Sequence, residues 1–208
     1  MLRDRAKVAV LVSGGGSNLQ AMLDAQESGK LKSGQIELVI ADRPGAYALE
    51  RAQKAGVKAF EINRKDAEFE DRVLKAFDEH AIEVVVLAGF LTILSPKFIK
   101  HCGKPILNVH PSLIPSFCGA GMYGLKVHEA AVKRGVKLTG ATIHLVDAVP
   151  DGGPILLQKA VKVQKNDSPE SLQRRVMEQA EWVILPKAVE MVCRTMNRER
   201  KQRGEASF

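Results

Sequence analysis

The sequence predicts an α/β domain in which a doubly wound, mostly parallel sheet is followed by a C-terminal antiparallel hairpin and a long helix. In the first half of the chain, short apolar runs alternate with segments of helical pattern, which is typical of a parallel sheet covered by helices. In the second half, two longer strand-like segments flank a loop rich in Pro, Asp and Gly, which favours a hairpin. We find no linker or internal repeat. We therefore expect one domain over 1–208, with its folded core over about 7–190 and a basic tail at 194–208.

The first half contains five predicted strands, each a short apolar run of the kind that parallel sheets bury. They cover residues 8–12, 36–41, 58–62, 84–88 and 106–110. The intervening segments predict helices over 19–27, 46–55, 66–80 and 96–101. Ser95 is expected to cap the last of these helices, because a serine precedes a proline at the first helical position.

The second half begins with a predicted helix over 126–133. Strands over 137–146 and 155–163 follow, and the Pro/Asp/Gly loop joins them into the hairpin. A capping sequence at 167–170 then opens a helix from about residue 169 toward residue 196. Pro186 predicts a kink or break within that helix.

Composition excludes several classes of protein. The 208 residues are 45% hydrophobic and 26% charged, so disordered and fibrous chains are excluded. No stretch approaches the roughly 18 apolar residues that span a bilayer, and the run at 8–12 is too short for a signal peptide. The three cysteines, Cys102, Cys118 and Cys193, form no CxxC pair, which disfavours a disulfide framework or structural zinc. We expect a cytoplasmic protein without a bound metal.

The net charge of +7 raises the hypothesis of a nucleic-acid partner. Much of the excess lies in the run at 194–203, and such runs are commonly solvated helix ends or tails. Aromatic residues make up only 5% of the chain, and no RNA-binding motif or zinc finger accompanies the run. Small anionic substrates would explain the charge equally well. We expect small-molecule partners, no nucleic acid and no membrane.

A glycine-rich loop, Ser13-Gly14-Gly15-Gly16-Ser17-Asn18, lies directly between the first strand and the first helix. Glycines allow a sharp turn and close approach to a ligand, and a helix N-terminus offers free N–H groups to an anion. The loop lacks the lysine of a P-loop, and Leu19 replaces the third glycine of a dinucleotide-binding motif. The pattern favours a phosphate site, while a purely structural tight turn remains open. Asp42 is a candidate ribose ligand, although a surface turn explains it as well.

His110 is the histidine with the most informative position, because it ends the fifth predicted strand, where doubly wound sheets bind ligands. Asn108 precedes it by two residues, so both side chains share one face of the strand. An amide that donates to an oxyanion and an imidazole that moves protons suit acyl transfer. A buried, hydrogen-bonded His–Asn pair is the alternative.

The remaining histidines have less informative positions. His80, His101 and His128 fall in helical or surface contexts, His144 in a strand is expected to be structural, and none forms an HExxH metal motif. Asp151, in the hairpin loop, is either a turn residue or a carboxylate carried beside His110, where it would stabilise a protonated imidazole.

Five blocks of sequence, taken together, are similar to the phosphoribosylglycinamide formyltransferase family. The blocks are 10–21, 87–96, Asn108-Val-His-Pro-Ser-Leu-Ile-Pro-Ser-Phe117, 139–147 and Asp151-Gly-Gly-Pro154. They occur in the family's order, and the resemblance spans about residues 7–190. It implies a Rossmann-like formyltransferase fold and an enzyme of purine biosynthesis. Such an enzyme transfers the formyl group of 10-formyltetrahydrofolate to the amine of glycinamide ribonucleotide through a tetrahedral intermediate, without a metal.

The resemblance also assigns residues. Gly16, Ser17 and Asn18 match the loop that binds the substrate phosphate, and Asn108, His110 and Asp151 match the catalytic residues. The family's folate pocket corresponds to Leu91, Thr92, Ile93, Leu94, Asn108, Asp147, Ala148, Val149, Pro150 and Asp151.

The chain departs from the family pattern at several positions. Thr92 stands where many members have an arginine, and an ungapped comparison places Ala180-Glu181 where the family has Glu-His. Either Glu178 or Glu181 is then the replacement for a glutamate near the glycinamide end. The basic residue that meets the folate glutamate tail is unplaced, and the segment 118–126 is longer than in many relatives.

Two alternatives share the Asn-His-Pro-Ser chemistry: methionyl-tRNA formyltransferase and formyltetrahydrofolate deformylase. Each carries an additional domain, for which we expect no room in a chain of 208 residues. A non-catalytic phosphate-binding module would need the glycine loop but not Asn108, His110 and Asp151 together. The sequence leaves a monomer and a homodimer equally open.

Overall fold

The computed structural model describes residues 5–204 and contains a seven-stranded sheet in the order β3-β2-β1-β4-β5-β6-β7. The strands are β1 (Ala6–Val12), β2 (Gly34–Ala41), β3 (Lys58–Glu61), β4 (Val84–Leu87), β5 (Ile106–His110), β6 (Leu138–Leu145) and β7 (Ile155–Lys162). The first five are mutually parallel, whereas β6 runs antiparallel to both β5 and β7. The predicted fold class, with its hairpin, is confirmed.

Helices cover both faces of the sheet. They are α1 (Ser17–Glu27), α2 (Tyr47–Lys54), α3 (Phe69–Glu79), α4 (Pro96–Cys102), α5 (Leu125–Arg134), α6 (Pro169–Val176) and α7 (Trp182–Gln202). Ser95 caps α4 as predicted, since its side chain accepts the N–H of Phe98 at 3.0 Å. Helix α3 begins three residues later than expected because Asp66 instead forms a turn, accepting the N–H of Glu68 at 3.0 Å.

The strand residues alternate between two hydrophobic cores. In β1, Val8, Val10 and Val12 face the core beneath α1, α2, α5, α6 and α7, whereas Ala9 and Leu11 face the smaller core beneath α3 and α4. All five side chains are fully buried. Burial on both faces explains why the central strands are continuous apolar runs rather than alternating ones.

The long C-terminal helical segment is irregular. The sequence predicts a kink or break at Pro186, and helix α7 continues through this residue, so a break there is wrong. The irregularity is a π-helical turn, Met177–Glu181, which separates α6 from α7. Pro186 has no backbone N–H, so it cannot donate the hydrogen bond that a regular α-helix would form back to Trp182. The π-helical turn ends immediately before Trp182.

The basic run at 194–202 forms the last turns of α7 rather than a free tail. Asn197 Nδ2 donates to the carbonyl oxygen of Ser33 at 2.9 Å, and Arg200 forms an ion pair with Glu83. These contacts attach the end of the helix to the amino-terminal edge of the sheet. Residues 1–4 and 205–208, at the ends of the predicted domain and tail, lie outside the described residues.

The carboxyl ends of β1 and β4 meet where the strand order reverses. The N–H of Ser13 donates to the carbonyl oxygen of Gly89 at 3.2 Å, and Ser13 Oγ accepts the N–H of Leu91 at 2.8 Å. The loops that follow the two strands are therefore tied together. In doubly wound sheets this reversal point is where ligands bind.

Candidate active site

The three predicted catalytic residues lie together at the carboxyl end of β5. Asn108 and His110 project from one face of the strand, and Asp151 approaches from the loop between β6 and β7. Asp151 Oδ2 is 3.4 Å from His110 Nδ1, and Asn108 Nδ2 is 3.5 Å from Asp151 Oδ1. The structure thus brings the aspartate to the histidine, a contact that the sequence left open.

Asp151 is held by its surroundings in a conformation that few residues adopt. Its φ of 57° lies in the left-handed region, which aspartate tolerates better than most residues. The N–H of Gly119 donates to Oδ2 at 2.8 Å. Burial would raise the pKa of Asp151, but the adjacent imidazoles of His144 and His110 and the N–H of Gly119 outweigh burial and lower it. The carboxylate is therefore ionised at neutral pH.

The ring of His110 is nearly fully buried, with 4% of the residue exposed. Its Nε2 lies 2.9 Å from the carbonyl oxygen of Phe117. Because a carbonyl only accepts hydrogen bonds, Nε2 carries a proton in this arrangement. The opposite nitrogen, Nδ1, faces the Asp151 carboxylate at 3.4 Å, so the ring is held between these two partners.

His144 belongs to the same cluster, although the sequence assigned it a structural role. Strand β6 pairs with β5 so that His144 lies directly opposite Asn108. His144 Nδ1 is 2.9 Å from the carbonyl oxygen of Leu145, which places the proton on Nδ1, and the free Nε2 then accepts from Asn108 Nδ2 at 3.1 Å. His144 therefore orients the Asn108 amide. The register of an antiparallel pair carries this information, and no single segment of sequence contains it.

His128 on α5 is helical, as predicted, but fully buried. Burial lowers its pKa to about 4, with a smaller contribution from the charge of His110. His128 is therefore a neutral imidazole beside the catalytic cluster. Neither of its ring nitrogens has a hydrogen-bond partner among the described residues.

A cavity of about 270 Å³ opens beside Asn108 and Asp151. Every residue predicted for the folate pocket lines it: Leu91, Thr92, Ile93, Leu94, Asn108, Asp147, Ala148, Val149, Pro150 and Asp151. Residues 119–123, which are part of the longer segment 118–126 noted in the sequence, form a further wall. Ile93 is 77% exposed and Val149 61% exposed, so the rim of the cavity presents apolar side chains to solvent. Exposed apolar side chains around a concave pocket are typical of a ligand site.

Thr92 does not present a free hydroxyl to this cavity. Its Oγ1 donates to Asp42 Oδ2 at 2.5 Å, and Arg43 Nε contacts the other carboxylate oxygen of Asp42 at 3.0 Å. Asp42 is fully buried and occupied by these two neighbours, so it does not reach a ribose. The threonine that replaces the family's arginine is thus part of an internal network.

A second cavity of about 490 Å³ shares Thr92 and Ile93 with the first. Arg64, Lys97 and His101 also line it. Asp66, Glu70 and Asp71 line it as well, so the second cavity carries charged groups of both signs beside the first cavity.

The glycine loop turns into α1 at Gly16, which has a φ of 71° and precedes the first helical residue. A Cβ at this position would lie 2.6 Å from Cβ of Ala48, so only glycine fits here. Around Gly14 and Gly15 there is open space. The N–H groups at the start of α1 are therefore accessible from one side, as an anion site requires.

Asn18, the last residue of the loop, donates from Nδ2 to Glu181 Oε2 at 2.7 Å. Glu181 is only 6% exposed, whereas Glu178 is exposed on the outer side of the helical segment. Burial raises the pKa of Glu181, against the lowering effect of the bond from Asn18. Of the two candidate glutamates, Glu181 is the one that faces the loop. It is the last residue of the π-helical turn.

The fold and this cluster define the class of α/β enzymes that carry an amide and an imidazole at the end of a central strand. The chain belongs to the formyl transferase family, whose sequence model matches residues 6–189. It is 39% identical to phosphoribosylglycinamide formyltransferase of Escherichia coli over 184 residues, which cover 86% of this chain and 83% of that protein. The resemblance read from the sequence is confirmed.

Solved structures extend the comparison. Glycinamide ribonucleotide transformylase 1 from Symbiobacterium toebii superposes with a TM-score of 0.85 at 36% identity, covering 92% of this chain and 89% of that one. The phosphoribosylglycinamide formyltransferase from Anaplasma phagocytophilum gives a TM-score of 0.83 at 38% identity, covering 92% and 88%.

Longer relatives match as well. The human trifunctional purine biosynthetic protein adenosine-3 is 40% identical over 195 residues, which are 92% of this chain and 19% of that protein. The chain thus spans about a fifth of these multifunctional relatives. Within residues 5–204, no helix is both long and apolar enough to cross a membrane, and no group of three or more His, Cys, Asp or Glu residues is placed to hold a metal.

Proposed function

We propose that the protein transfers the formyl group of 10-formyltetrahydrofolate to the amine of glycinamide ribonucleotide in purine biosynthesis. The observation that carries this proposal is the contact of His110 with Asp151, which lines, together with Asn108, a cavity that contains every residue expected to bind folate. The names of the relatives agree with this activity. We place the reaction in the cytoplasm, with small-molecule substrates, no nucleic-acid partner, and a monomer or homodimer as the active form.

The two substrates occupy adjoining regions in this proposal. The ribonucleotide phosphate lies at the N–H groups of Gly16, Ser17 and Asn18, where the α1 dipole and free donors favour an anion. Glu181, bonded to Asn18, lies on the ribonucleotide side of the site. The pteridine enters the cavity between 91–94 and 147–151. The amine and the formyl carbon then meet beside Asn108 and His110.

The chemistry is direct acyl transfer. The substrate amine attacks the formyl carbon, forming a C–N bond and a tetrahedral intermediate whose negative charge lies on the former carbonyl oxygen. One N–H of the Asn108 amide is bound to His144 at 3.1 Å, and the second, whose contact with Asp151 is longer at 3.5 Å, exchanges that partner for the oxyanion. The intermediate then collapses as the bond from carbon to folate N10 breaks.

Proton transfer accompanies this sequence. The attacking amine must lose a proton and the departing N10 must gain one, so the net reaction neither consumes nor releases protons. His110 is the group that relays the proton, and Asp151 holds its ring in place. In the structure, the Nε2 N–H of His110 donates to the carbonyl oxygen of Phe117. During the proposed reaction, this N–H exchanges the carbonyl for the substrate.

The rate enhancements expected from these residues fit a mechanism without a metal. Positioned acid–base catalysis contributes a factor of about 10²–10⁴, and one oxyanion donor about 10²–10³. Holding both substrates in reacting geometry supplies roughly 7–11 kcal/mol more.

We further propose that the folate glutamate tail extends into the second cavity. Arg64 and Lys97 line this cavity next to Thr92 and Ile93. We assign them the tail carboxylates, the contact that the sequence left without a residue. Arg64→Met and Lys97→Met should each raise the KM for the folate by about three- to tenfold, because an ion pair at an exposed site contributes modestly.

The decisive experiment mixes the protein with 10-formyltetrahydrofolate and glycinamide ribonucleotide and follows the change in folate absorbance. We expect formyl transfer that depends on the ribonucleotide. The control replaces the ribonucleotide with methionyl initiator tRNA, and a second control omits any acceptor. Transfer to the tRNA alone would assign the chain to the tRNA enzyme, and folate turnover without an acceptor would indicate a deformylase.

A further inference from the structure

Helix α2 lies against the glycine loop and contacts it through two hydrogen bonds. The N–H of Ala48 donates to the carbonyl oxygen of Gly14 at 3.1 Å, and Arg51 Nε donates to the carbonyl oxygen of Gly15 at 2.8 Å. Two successive carbonyls of the loop are thus directed at α2. Because a trans peptide holds its N–H opposite its carbonyl, the N–H groups of Gly15 and Gly16 point away from α2.

Arg51 is itself held in one orientation. Its Nη1 donates to Gln20 Oε1 on α1 at 2.9 Å, and its guanidinium carbon lies 5.0 Å from the centre of the Tyr47 ring. The planar fork of a guanidinium bonds two acceptors at once, which a lysine ammonium on a flexible stem does less well. A fixed positive charge therefore stands beside a loop whose peptide orientation it sets.

We propose that Arg51 is a positioning residue for the phosphate of the ribonucleotide substrate. By bonding the Gly15 carbonyl it aims the Gly16 N–H at the anion, and its charge adds to the positive end of α1. The inference rests on the proposed function, which places a phosphate in this loop. It adds a side chain from α2 that lies outside the loop itself.

Lys54 provides a matched comparison within the same helix. Its ammonium lies 5.5 Å from the same Tyr47 ring and 3.5 Å from the Tyr47 hydroxyl, one turn beyond Arg51. Lys54→Met removes the same charge as Arg51→Met but leaves both hydrogen bonds between α2 and the loop. Arg51→Lys keeps the charge and loses the planar fork. The three variants separate orientation of the loop from simple charge.

The test measures the binding of ribose 5-phosphate by calorimetry and, separately, the kinetics with glycinamide ribonucleotide. We expect Arg51→Met to raise the Kd for ribose 5-phosphate and the KM for the ribonucleotide about tenfold, the effect of losing one charge-assisted hydrogen bond. Arg51→Lys should raise both about threefold, and Lys54→Met less than about twofold, because an exposed charge contributes little. The kcat and the KM for folate should stay at the wild-type values in all three.

Equal effects of Arg51→Met and Lys54→Met would overturn the inference, because charge alone would then account for the binding. A fall in kcat and in folate affinity together with a lower Tm would also overturn it, since Arg51 would then act only in packing. Absence of ribose 5-phosphate binding by the wild type would overturn it as well. If the wild type binds the probe and Arg51→Met weakens it, but no formyl reaches the ribonucleotide, the proposed function fails while Arg51 retains its role at the phosphate.

Discussion

The cluster at the end of β5 and the glycine loop are built in opposite ways. At the cluster, the proposed chemistry depends on side chains from β5, β6 and the hairpin loop; Asn108, His110, His144 and Asp151 form a chain of contacts of 3.5 Å or less. At the glycine loop, the groups proposed to bind the phosphate are backbone N–H groups; Arg51 bonds the loop backbone, and the Asn18 side chain bonds Glu181. Substitutions at the cluster should therefore lower kcat, whereas substitutions at the loop should raise the KM for the phosphorylated substrate.

The largest effect should come from His110→Ala. Removing the group proposed to relay the proton should lower kcat by about 10²–10⁴, with a change in either KM of less than about threefold. Steady-state kinetics with both substrates measures this. Near-normal turnover would show that the cluster is not catalytic. The contrast between the cluster and the glycine loop would then no longer hold.

Gly16→Ala tests the glycine loop. The new Cβ would meet Ala48 at 2.6 Å in a backbone conformation with φ of 71°, so the loop must shift. We expect a rise in the KM for the ribonucleotide of about tenfold or more and a loss of stability of about 1–3 kcal/mol. The KM for folate should remain close to normal.

Gly29→Ala is the control for Gly16→Ala. Gly29 has a φ of 69°, but nothing lies within 4 Å of the Cβ that the substitution adds. The two variants therefore share backbone strain and differ in the clash. An equal KM for the ribonucleotide in both would show that the packing of Ala48 against the loop does not position the substrate.

His128 should affect the pH dependence of the protein's stability rather than its turnover. The unfolded chain binds a proton at this residue near pH 6.5, but the folded protein only near pH 4. Between these values the unfolded state holds more protons, so stability is full above pH 6.5 and falls as the pH decreases toward 4, by up to about 3 kcal/mol. His128→Leu should remove this component of the pH dependence.

Chemical unfolding of the wild type and His128→Leu at pH 7.5, 6, 5 and 4.5 measures the difference. Glu181, whose pKa is raised, acts in the opposite direction: its contribution is complete below its unfolded pKa and is lost as the pH rises through the folded one. It is present in both proteins and cancels in the comparison. Parallel stability curves for the two proteins would contradict the assignment of a neutral, buried His128.

The smallest effect concerns Glu181, where the loop meets the π-helical turn. Glu181→Gln preserves the shape of the side chain and can still accept the hydrogen bond from Asn18 Nδ2, but it removes any carboxylate charge. We expect a rise of about three- to tenfold in the KM for the ribonucleotide, with kcat unchanged. Glu178→Gln, on the exposed side of the same turn, is the control and should leave both constants unchanged. The reverse order of effects would show that the turn presents the other glutamate to the substrate.

Much of this molecule follows from local sequence. Apolar runs of four to eight residues identified the strands, since a strand buried on both faces leaves no polar positions. Asn108 and His110 were found from a spacing of two residues on one strand, and the glycine loop from its place between a strand and a helix. Each of these inferences depends on residues close together in the chain.

Other features depend on contacts between distant segments. Asp151 reaches His110 across 41 positions of the chain, and His144 reaches Asn108 through the register of β5 with β6. Glu181 was ambiguous because an ungapped comparison assumes a regular helix. A π-helical turn changes which face each following residue presents, and only packing against the sheet decides where such a turn forms.

The sequence by itself determined the order of strands and helices, the glycine loop, the Asn–His pair and the family, because these depend on local propensity and short spacings. The tertiary structure decided that Asp151 and His144 join that pair, that Glu181 rather than Glu178 faces the loop, and that Arg51 holds the loop from outside. The physical reason is that each of these contacts lies between elements far apart in the chain. Their register and side-chain direction are set by the packing of the whole sheet and its helices.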